Sequence, residues 1–195
     1  MEGLQNGAPD LRPRRRALIK SVLAVTVVGL VDIGVPGAVS AAPLEQEARR
    51  ALNRLYAAQP KARLLGAKAV GILVFPRIYK AGFMFGAQSG NGVLWDRGRF
   101  EGRYNITAAS FGLQAGAQAF SLALFFITRS ALRYLENSHG WAIGSGPSVV
   151  VVDTGVAKTL TSTTVTQDVY AILFGQRGLM AGMGVEGSKI TRVGS

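Results

Sequence analysis

The stretch FMFGAQSG (residues 83–90) alternates between two kinds of side chain. Its odd-numbered positions carry Phe, Phe, Ala and Ser, and its even-numbered positions carry Met, Gly, Gln and Gly. Because successive side chains of a β-strand point to opposite faces, this alternation predicts a strand with one apolar face and one face of glycine and polar residues. The same pattern recurs in residues 110–118 and in residues 179–186.

The abundance of glycine in these segments needs a steric reason. Glycine makes up 25 of the 195 residues, about 13%, against roughly 7% in typical proteins. Each glycine weakens a strand by about 0.5–1 kcal/mol relative to alanine. Strand glycines occur where a sheet bends or bulges, or where another backbone approaches closely. We therefore expect an α+β protein with a strongly curved antiparallel β-sheet or a small β-barrel-like core, short N-terminal helices and one internal helix, with a helix against the glycine face.

The segment before the first strand, residues 42–69, is predicted to form two short helices. Pro60 divides it, because proline ends one helix and suits the first turn of the next. The glycine-rich β core is predicted to follow over residues 70–195. Apolar side chains at helical spacing form a stripe on the first helix: Ala48, Ala51, Leu52, Leu55 and Tyr56.

Turn and capping residues divide the β core further. Pro76 is expected to end a buried strand over residues 70–75, and the Gly-Asn-Gly triplet at residues 90–92 predicts a hairpin turn. Thr128 is the expected N-cap of the internal helix, which Gly140 closes. Two more strands are predicted, SVVVVD (residues 148–153), buried on both faces, and VYAILF (residues 169–174).

A G-x-G-x-x-G string at residues 182–187 resembles a dinucleotide-binding loop. Such a loop needs a helix after it and an acidic residue about 20 positions later. Only SKITRVGS follows the string, which leaves no room for either feature. These glycines are therefore expected to serve the sheet, and no cofactor is predicted.

Residues 1–41 have the features of an export signal. Three arginines, residues 14–16, precede an uncharged, mostly apolar run over residues 21–31. Eleven residues rise only about 16 Å as a helix, which is too short for a hydrocarbon core of about 30 Å but typical of a signal-peptide apolar region. Small residues at positions 39–42 offer cleavage sites.

The route of export has two interpretations. Arg15 and Arg16, followed by Ala-Leu-Ile-Lys, resemble a twin-arginine signal, and an ordinary Sec signal is the alternative. Either route predicts an exported protein that is periplasmic or peripheral to the cell-envelope membrane. The segment is then either cleaved or kept as an N-terminal anchor.

The charge balance predicts an anionic partner. The net charge is +11 and the isoelectric point is near 10.7, which favours phospholipid surfaces, nucleic acid or other polyanions. With no cysteine and one histidine, the sequence supplies no disulfide framework, no thiolate zinc site and no cysteine nucleophile. No metal site is predicted.

Three stretches of the β core resemble the SYLF domain family, which occurs in bacterial exported proteins and in eukaryotic endocytic and actin-patch proteins. They are residues 68–95 with GILVFP and KAGF, residues 105–128 with SFGLQAG, and residues 170–193 with GLMAG and EG. The resemblance covers about residues 48–193. It implies a non-enzymatic lipid-binding module, since eukaryotic members bind phosphoinositides partly through a basic, amphipathic N-terminal region.

Here that region corresponds to residues 43–69. An exported protein would meet phosphatidylglycerol, cardiolipin or lipopolysaccharide phosphates, and each Lys or Arg near an anionic surface contributes about 1 kcal/mol. The apolar stripe of the first helix either inserts shallowly into the membrane through Leu52, Leu55 and Tyr56 or packs on the sheet. The expected lipid-binding residues are Arg49, Arg50, Arg54, Lys61, Arg63, Lys68, Arg77 and Lys80.

Other functions find less support in the residues. Ser110 within AASFG and the single His139 suggest a hydrolase, but a nucleophile elbow needs a strand, a turn and a helix, and Ser110 opens a strand-like alternation. No nucleic-acid partner is predicted, because Trp95 and Tyr104 are better explained as strand aromatics and no recognised motif accompanies the charge. A structural or protein-interaction role in the envelope, with an envelope protein partner, is the remaining alternative.

Overall fold

The computed structural model describes residues 41–152, 160–161, 163–178 and 187–194. The predicted export signal, apart from Ala41, and the third glycine-rich segment, residues 179–186, lie outside the described residues. The elements in chain order are α1 (Ala41–Ala58), α2 (Pro60–Lys68), β1 (Gly71–Asp96), β2 (Arg99–Phe126), α3 (Arg129–Asn137), β3 (Trp141–Ala142), β4 (Val149–Val151), β5 (Val169–Gly178) and β6 (Lys189–Gly194).

The centre of the fold is one long antiparallel hairpin. β1 has 26 residues and β2 has 28, and they pair from Gly71 with Phe126 down to Asp96 with Arg99. The turn lies at residues 97–98, both with positive φ, of 47° and 81°. The hairpin turn predicted at residues 90–92 is therefore wrong, because these residues lie inside the ladder, opposite residues 104–106 of β2.

Pro76 does not end the first strand, contrary to the prediction. The register shifts between Phe75 and Ile78, so the strand passes Pro76 with a β-bulge, where proline's missing N–H costs no ladder hydrogen bond. The carbonyl of Pro76 accepts a hydrogen bond from Ser121 Oγ at 2.7 Å. A second shift, between Phe83 and Phe85, marks the bend of the hairpin.

Glycines allow the two halves of β1 to lie against each other. A β-carbon on Gly82 would collide with the backbone of Phe85 and Gly86. A β-carbon on Gly90 would lie 2.6 Å from the carbonyl oxygen of Arg77, and one on Gly92 would lie 2.8 Å from that of Val74. The predicted role of strand glycines in bends and close backbone approach is thus confirmed at these positions. The glycine face is the packed inner face of the curl.

The remaining strands extend a strongly curled sheet, as predicted. β2 pairs with β1 along one edge, and its other edge pairs with β5 over residues 118–126 and with β6 over residues 103–107. β3 lies beside β6. β4 pairs with β5 in parallel, so the sheet is mixed rather than purely antiparallel. The strand predicted over residues 148–153 is shorter and lies at an edge, half-buried or exposed, so its predicted burial on both faces is wrong.

Two hydrophobic cores lie on opposite faces of the curled sheet. The inner core joins Phe75 and Ile78 of the first half of the hairpin to Leu94 and Ile106 of the second half, and α3 closes it. The outer core lies between the sheet and the two N-terminal helices, so these helices cover the convex face. The helix on the inner face is α3, whose Leu132 lies beside Gly71. Alternation in β1 assigns Val74, Val93 and Trp95 to this outer core.

The internal helix begins as predicted and is tied to the strands by a carboxylate. Thr128 Oγ1 accepts a hydrogen bond from the backbone N–H of Ala131, which makes Thr128 the N-cap. The same hydroxyl donates to Asp168 Oδ1 at 2.8 Å, while Ser148 N–H and Oγ donate to Asp168 Oδ2 at 3.1 Å. These hydrogen bonds, that of Thr128 first, lower the pKa of Asp168. The helix ends at Asn137, before Gly140, whose φ is 139°.

Replacing Asp168 should make stability less dependent on acid pH. Because the folded carboxyl has a lowered pKa, its contribution is present above the unfolded value near 3.8 and is lost as the pH falls through the folded value. Asp168→Asn is expected to cost about 1 kcal/mol at pH 7 and to lose less further stability than the wild type in acid. Urea unfolding across the acid range measures this, and parallel pH profiles for the two proteins would contradict it.

Gly90→Ala should destabilise the protein by about 1–3 kcal/mol, because the added methyl group would force the Arg77 backbone away from the second half of β1. Urea unfolding followed by tryptophan fluorescence measures the loss. The matched control is Ser89→Ala on the exposed face of the same strand, expected to change stability by less than about 0.5 kcal/mol. Equal stability of Gly90→Ala and wild type would show that the two halves do not touch there.

Candidate functional site

Helix α1 uses its apolar stripe for packing. Ala48, Ala51 and Leu55 are fully buried in the outer core, and Leu52 and Tyr56 are half-buried against it. The interpretation in which the stripe packs on the sheet is therefore confirmed, and shallow insertion of these side chains into a membrane is wrong. The side of α1 that faces solvent carries the basic residues.

Arg49 is engaged in the structure beside the outer core. Its guanidinium donates to Glu45 Oε1 at 2.8 Å and lies 5.0 Å from the centre of the Trp95 ring. Trp95 Nε1 donates to the same carboxylate oxygen at 3.4 Å. The hydrogen bond from Arg49 lowers the pKa of Glu45, because it stabilises the ionised carboxylate. A shallow pocket of about 170 Å³ beside them is lined by Arg49, Leu52, Asn53, Ile72, Trp95 and Gly98.

Arg50 and Arg54 project from another side of α1. They are four residues apart, so they lie one above the other on the helix surface. Arg50 is rotated about 100° around the helix axis from Arg49. Both are exposed. Arg50 donates to the backbone and side chain of Gln46 at 3.3 and 3.4 Å, and Arg54 has no hydrogen bond or ion pair among the described residues. These two arginines remain available to an external anion.

The basic residues of α2 fall on two sides of that helix. Arg63 lies 5.7 Å from the ring of Tyr56 and donates to its carbonyl oxygen at 3.3 Å, and burial raises the pKa of the Tyr56 hydroxyl. Lys61 and Lys68 are exposed and seven residues apart, so they share a side of α2 two turns apart. The helix therefore presents cations to solvent on both flanks of its buried edge, which is formed by Ala62 and Leu65.

The two predicted residues on β1 lie apart from each other. Arg77 forms an ion pair with Glu47 of α1 at 3.0 Å and donates to the Tyr79 hydroxyl at 3.3 Å, and the latter hydrogen bond raises the pKa of Arg77. Lys80 pairs in register with Gln118, which is buried, and so lies on the face opposite Tyr79. The structure thus groups Arg77 with the helices and separates Lys80 from them.

The residues considered for catalysis or dinucleotide binding lie where the structure does not support those roles. Ser110 lies in the middle of β2 opposite Gly86, with no turn or helix after it, so the nucleophile-elbow geometry is absent. His139 is exposed beyond the end of α3. Gly187 is followed by the strand β6 rather than a helix, in agreement with the rejection of a dinucleotide loop, whose other residues lie outside the described part.

Further features of the described residues concern the strand aromatics, the acidic side chains and the helices. Trp95 and Tyr104 are buried in their strands, as predicted. Across the residues that the structure describes, no group of three or more acidic or histidine side chains is placed to hold a metal ion. Within the same ranges no helix is long and apolar enough to cross a bilayer.

Sequence reasoning missed one exposed surface of the hairpin. Tyr79, Phe83 and Phe85 are 58%, 74% and 67% exposed, although the apolar face of a strand is usually the buried one. The glycines of the strand carried the signal for this surface. Glycines that allow close backbone contact must face inward, so the residues between them must face outward.

Comparison with known proteins gives one family match. Residues 107–194 match the family model Ysc84, described as Las17-binding protein actin regulator. The match runs from the middle of β2 through α3 to the end of β6. It covers the later part of the predicted resemblance and leaves α1, α2 and β1 outside. No curated protein shows a significant sequence match to the chain.

Arg49→Gln is expected to lower the free energy of unfolding by about 1 kcal/mol, because it removes both the contact with the Trp95 ring and the ion pair with Glu45. Urea unfolding followed by tryptophan fluorescence measures the change. Arg54→Gln on the same helix is the control and should alter stability by less than about 0.5 kcal/mol. Equal effects of the two substitutions would contradict the structural role of Arg49.

Proposed function

We infer, from the membership of residues 107–194 in the SYLF (Ysc84) domain family, that the protein is a non-enzymatic lipid-binding module that docks on anionic phospholipid surfaces. The basic N-terminal helices are the docking element. The proposed site of action is the cell envelope, reached through the export signal of residues 1–41. The anionic lipids there are phosphatidylglycerol and cardiolipin.

The observation that carries the proposal is that the apolar residues of α1 are packed in the core while its basic residues face solvent. Its apolar stripe is held in the outer core, so the helix is a fixed platform rather than a mobile amphipathic segment. Its two acidic residues, Glu45 and Glu47, are paired with Arg49 and Arg77. Arg50 and Arg54 have no acidic partner within the described residues. A rigid, exposed cationic surface of this kind attracts phosphate groups at about 1 kcal/mol per charge.

Composition supports the same reading. The chain carries a net charge of +11, and the six cations of α1 and α2 greatly outnumber the two carboxylates of those helices. The attraction of exposed charges is screened within a Debye length, so docking by these residues should weaken as salt is added. No catalytic step forms part of the proposal, since Ser110 lies within a continuous strand.

The family description favours a second candidate function. A Las17-binding actin regulator acts by contacting another protein, so this chain would then be a protein-interaction domain without lipid specificity. Lipid binding and protein binding can be separated with purified components. Lipid binding needs only vesicles and the purified chain, whereas protein binding needs a protein partner.

Arg54→Glu should weaken binding of the purified full-length protein to phosphatidylglycerol-containing vesicles about tenfold, because it removes one favourable charge and adds a repulsive one. Cosedimentation with vesicles at low and high salt measures the affinity. The matched control is Arg133→Glu, the same charge change at an exposed position of α3, which packs on the opposite face of the sheet. This control should bind almost as the wild type does.

Two results would contradict the proposal. If the wild-type protein fails to sediment with phosphatidylglycerol vesicles at low salt, docking on anionic lipid is wrong. If Arg54→Glu and Arg133→Glu weaken binding equally, net charge alone governs the interaction and α1 is not the docking element.

A further inference from the structure

The bend of the long hairpin carries the most exposed large apolar side chains of the described residues. Phe83, Phe85 and Tyr79 have the largest exposed fractions, and all three lie within a seven-residue stretch of β1. Single exposed apolar residues are ordinary on protein surfaces, but a contiguous group marks an interaction site. Their concentration at one bend therefore calls for a partner.

Strand register shows that the three aromatic side chains share one face. Tyr79, Phe83 and Phe85 are at alternate positions of β1, on the side opposite the buried Gly86 and Gln88. Residues paired across antiparallel strands also share a face. The smaller exposed side chains that complete this convex surface are Ala81 with its partner Ala117, and Ala87 with its partner Ala109.

Two basic side chains, Arg77 and Arg177, border this surface. Arg77 contacts the Tyr79 hydroxyl. Arg177 of β5 is exposed and pairs with Ala119, the partner of Tyr79, so it lies on the same convex face two strands away. Lys189 of β6 is exposed but does not border the aromatic side chains, because its side chain runs beside Gly140. No acidic residue occurs in residues 77–89, 107–119 or 175–178, the arms of the bend and the adjoining end of β5.

We propose that the hairpin bend, defined here by Tyr79, Phe83 and Phe85, inserts into the interfacial layer of an anionic membrane. Aromatic rings are favoured at the boundary between headgroups and acyl chains, and Arg77 and Arg177 border the ring surface where lipid phosphates would lie. This inference rests on the proposed function and adds an apolar anchor to it. The anchor is separate from the basic residues of α1 and α2.

The position of the bend relative to α1 supports simultaneous contact. α1 packs on the convex face of the sheet, which is also the face of the three aromatic side chains. Arg77 joins the two regions directly, since it contacts both Glu47 of α1 and the Tyr79 hydroxyl. Docking of the α1 cations therefore brings the near side of the bend toward the same lipid surface.

The charge pattern favours lipid over a second copy of the chain. A symmetric contact between two such bends would bring the basic borders of the two copies together; the arms contain no acidic residue to offset the repulsion, and Glu47 of α1 is already engaged by Arg77. An anionic membrane complements both the apolar centre and the basic border.

A tryptophan at the bend reports insertion directly. The two native tryptophans, Trp95 and Trp141, are only 4% and 1% exposed, so the wild-type protein serves as a blank. In the full-length Phe83→Trp variant, binding to phosphatidylglycerol vesicles with brominated acyl chains should shift the added emission to the blue and quench it. Tyr134→Trp is the matched control at a position 46% exposed on α3, and its emission should be unquenched.

A loss-of-contact variant gives the second measurement. Phe83→Ser with Phe85→Ser removes two exposed rings, so the fold should persist, as near-ultraviolet circular dichroism of the buried tryptophans can check. Its affinity for phosphatidylglycerol vesicles should fall about tenfold or more. The loss should persist at high salt, because apolar contact is not screened.

The outcomes separate the bend from the α1 surface. If the protein binds phosphatidylglycerol vesicles but Phe83→Trp is not quenched, insertion of the bend is overturned and the proposed function stands. If Phe83→Trp is quenched equally on pure phosphatidylcholine vesicles, insertion is supported and charge-driven docking is overturned. Failure to bind either vesicle overturns both. A serine variant that lowers the sedimenting mass without changing vesicle affinity would assign the bend to a second copy and overturn insertion.

Discussion

Close backbone contact at the glycines of β1 is the constraint on which the rest of the structure depends. The long hairpin folds over on itself only because no β-carbon stands between Gly90 and the Arg77 carbonyl or between Gly92 and the Val74 carbonyl. Once folded, the hairpin encloses one core between its halves and offers its convex face to the N-terminal helices. The same contact turns the glycine face inward and the aromatic face outward.

The surface properties of the protein follow from this arrangement. A convex sheet face covered by α1 fixes that helix through its apolar stripe, and Arg50 and Arg54 are then held toward solvent. Where α1 stops covering the sheet, the bend of the hairpin stays exposed with its aromatic side chains. The cationic helices and the apolar bend are consequently two parts of one face, joined by Arg77.

Local sequence signals predicted local structure well. Helical spacing and Pro60 located α1 and α2, Thr128 located the start of α3, and alternation with glycine indicated a curled sheet. Predictions from the sequence were wrong where the local structure depends on residues that are distant in the sequence. The bulge at Pro76 depends on the partner strand, and the turn falls at residues 97–98 because the whole hairpin register places it there.

The sequence predicted the candidate site only in part, for the same reason. The resemblance to the family and the positive charge directed attention to the six basic residues within residues 43–69, and the structure leaves all six exposed. Periodicity alone could not show that Arg49 is engaged by Glu45 and Trp95, or that Arg77 forms an ion pair with Glu47 of α1. Alternation separated two faces of the glycine-rich strands, but only long-range packing decides which face is buried.

The most direct test of the account is thiol labelling along the bend. The sequence contains no cysteine, so single substitutions Phe83→Cys, Phe85→Cys, Ala87→Cys and Gln88→Cys give an unambiguous readout. Fast labelling is expected at positions 83, 85 and 87, and strong protection at position 88, whose side chain is buried and donates to Ser188 Oγ at 2.8 Å. Labelling of Gln88→Cys as fast as that of Ala87→Cys would show that the glycine face is not the inner face, and the account would be wrong.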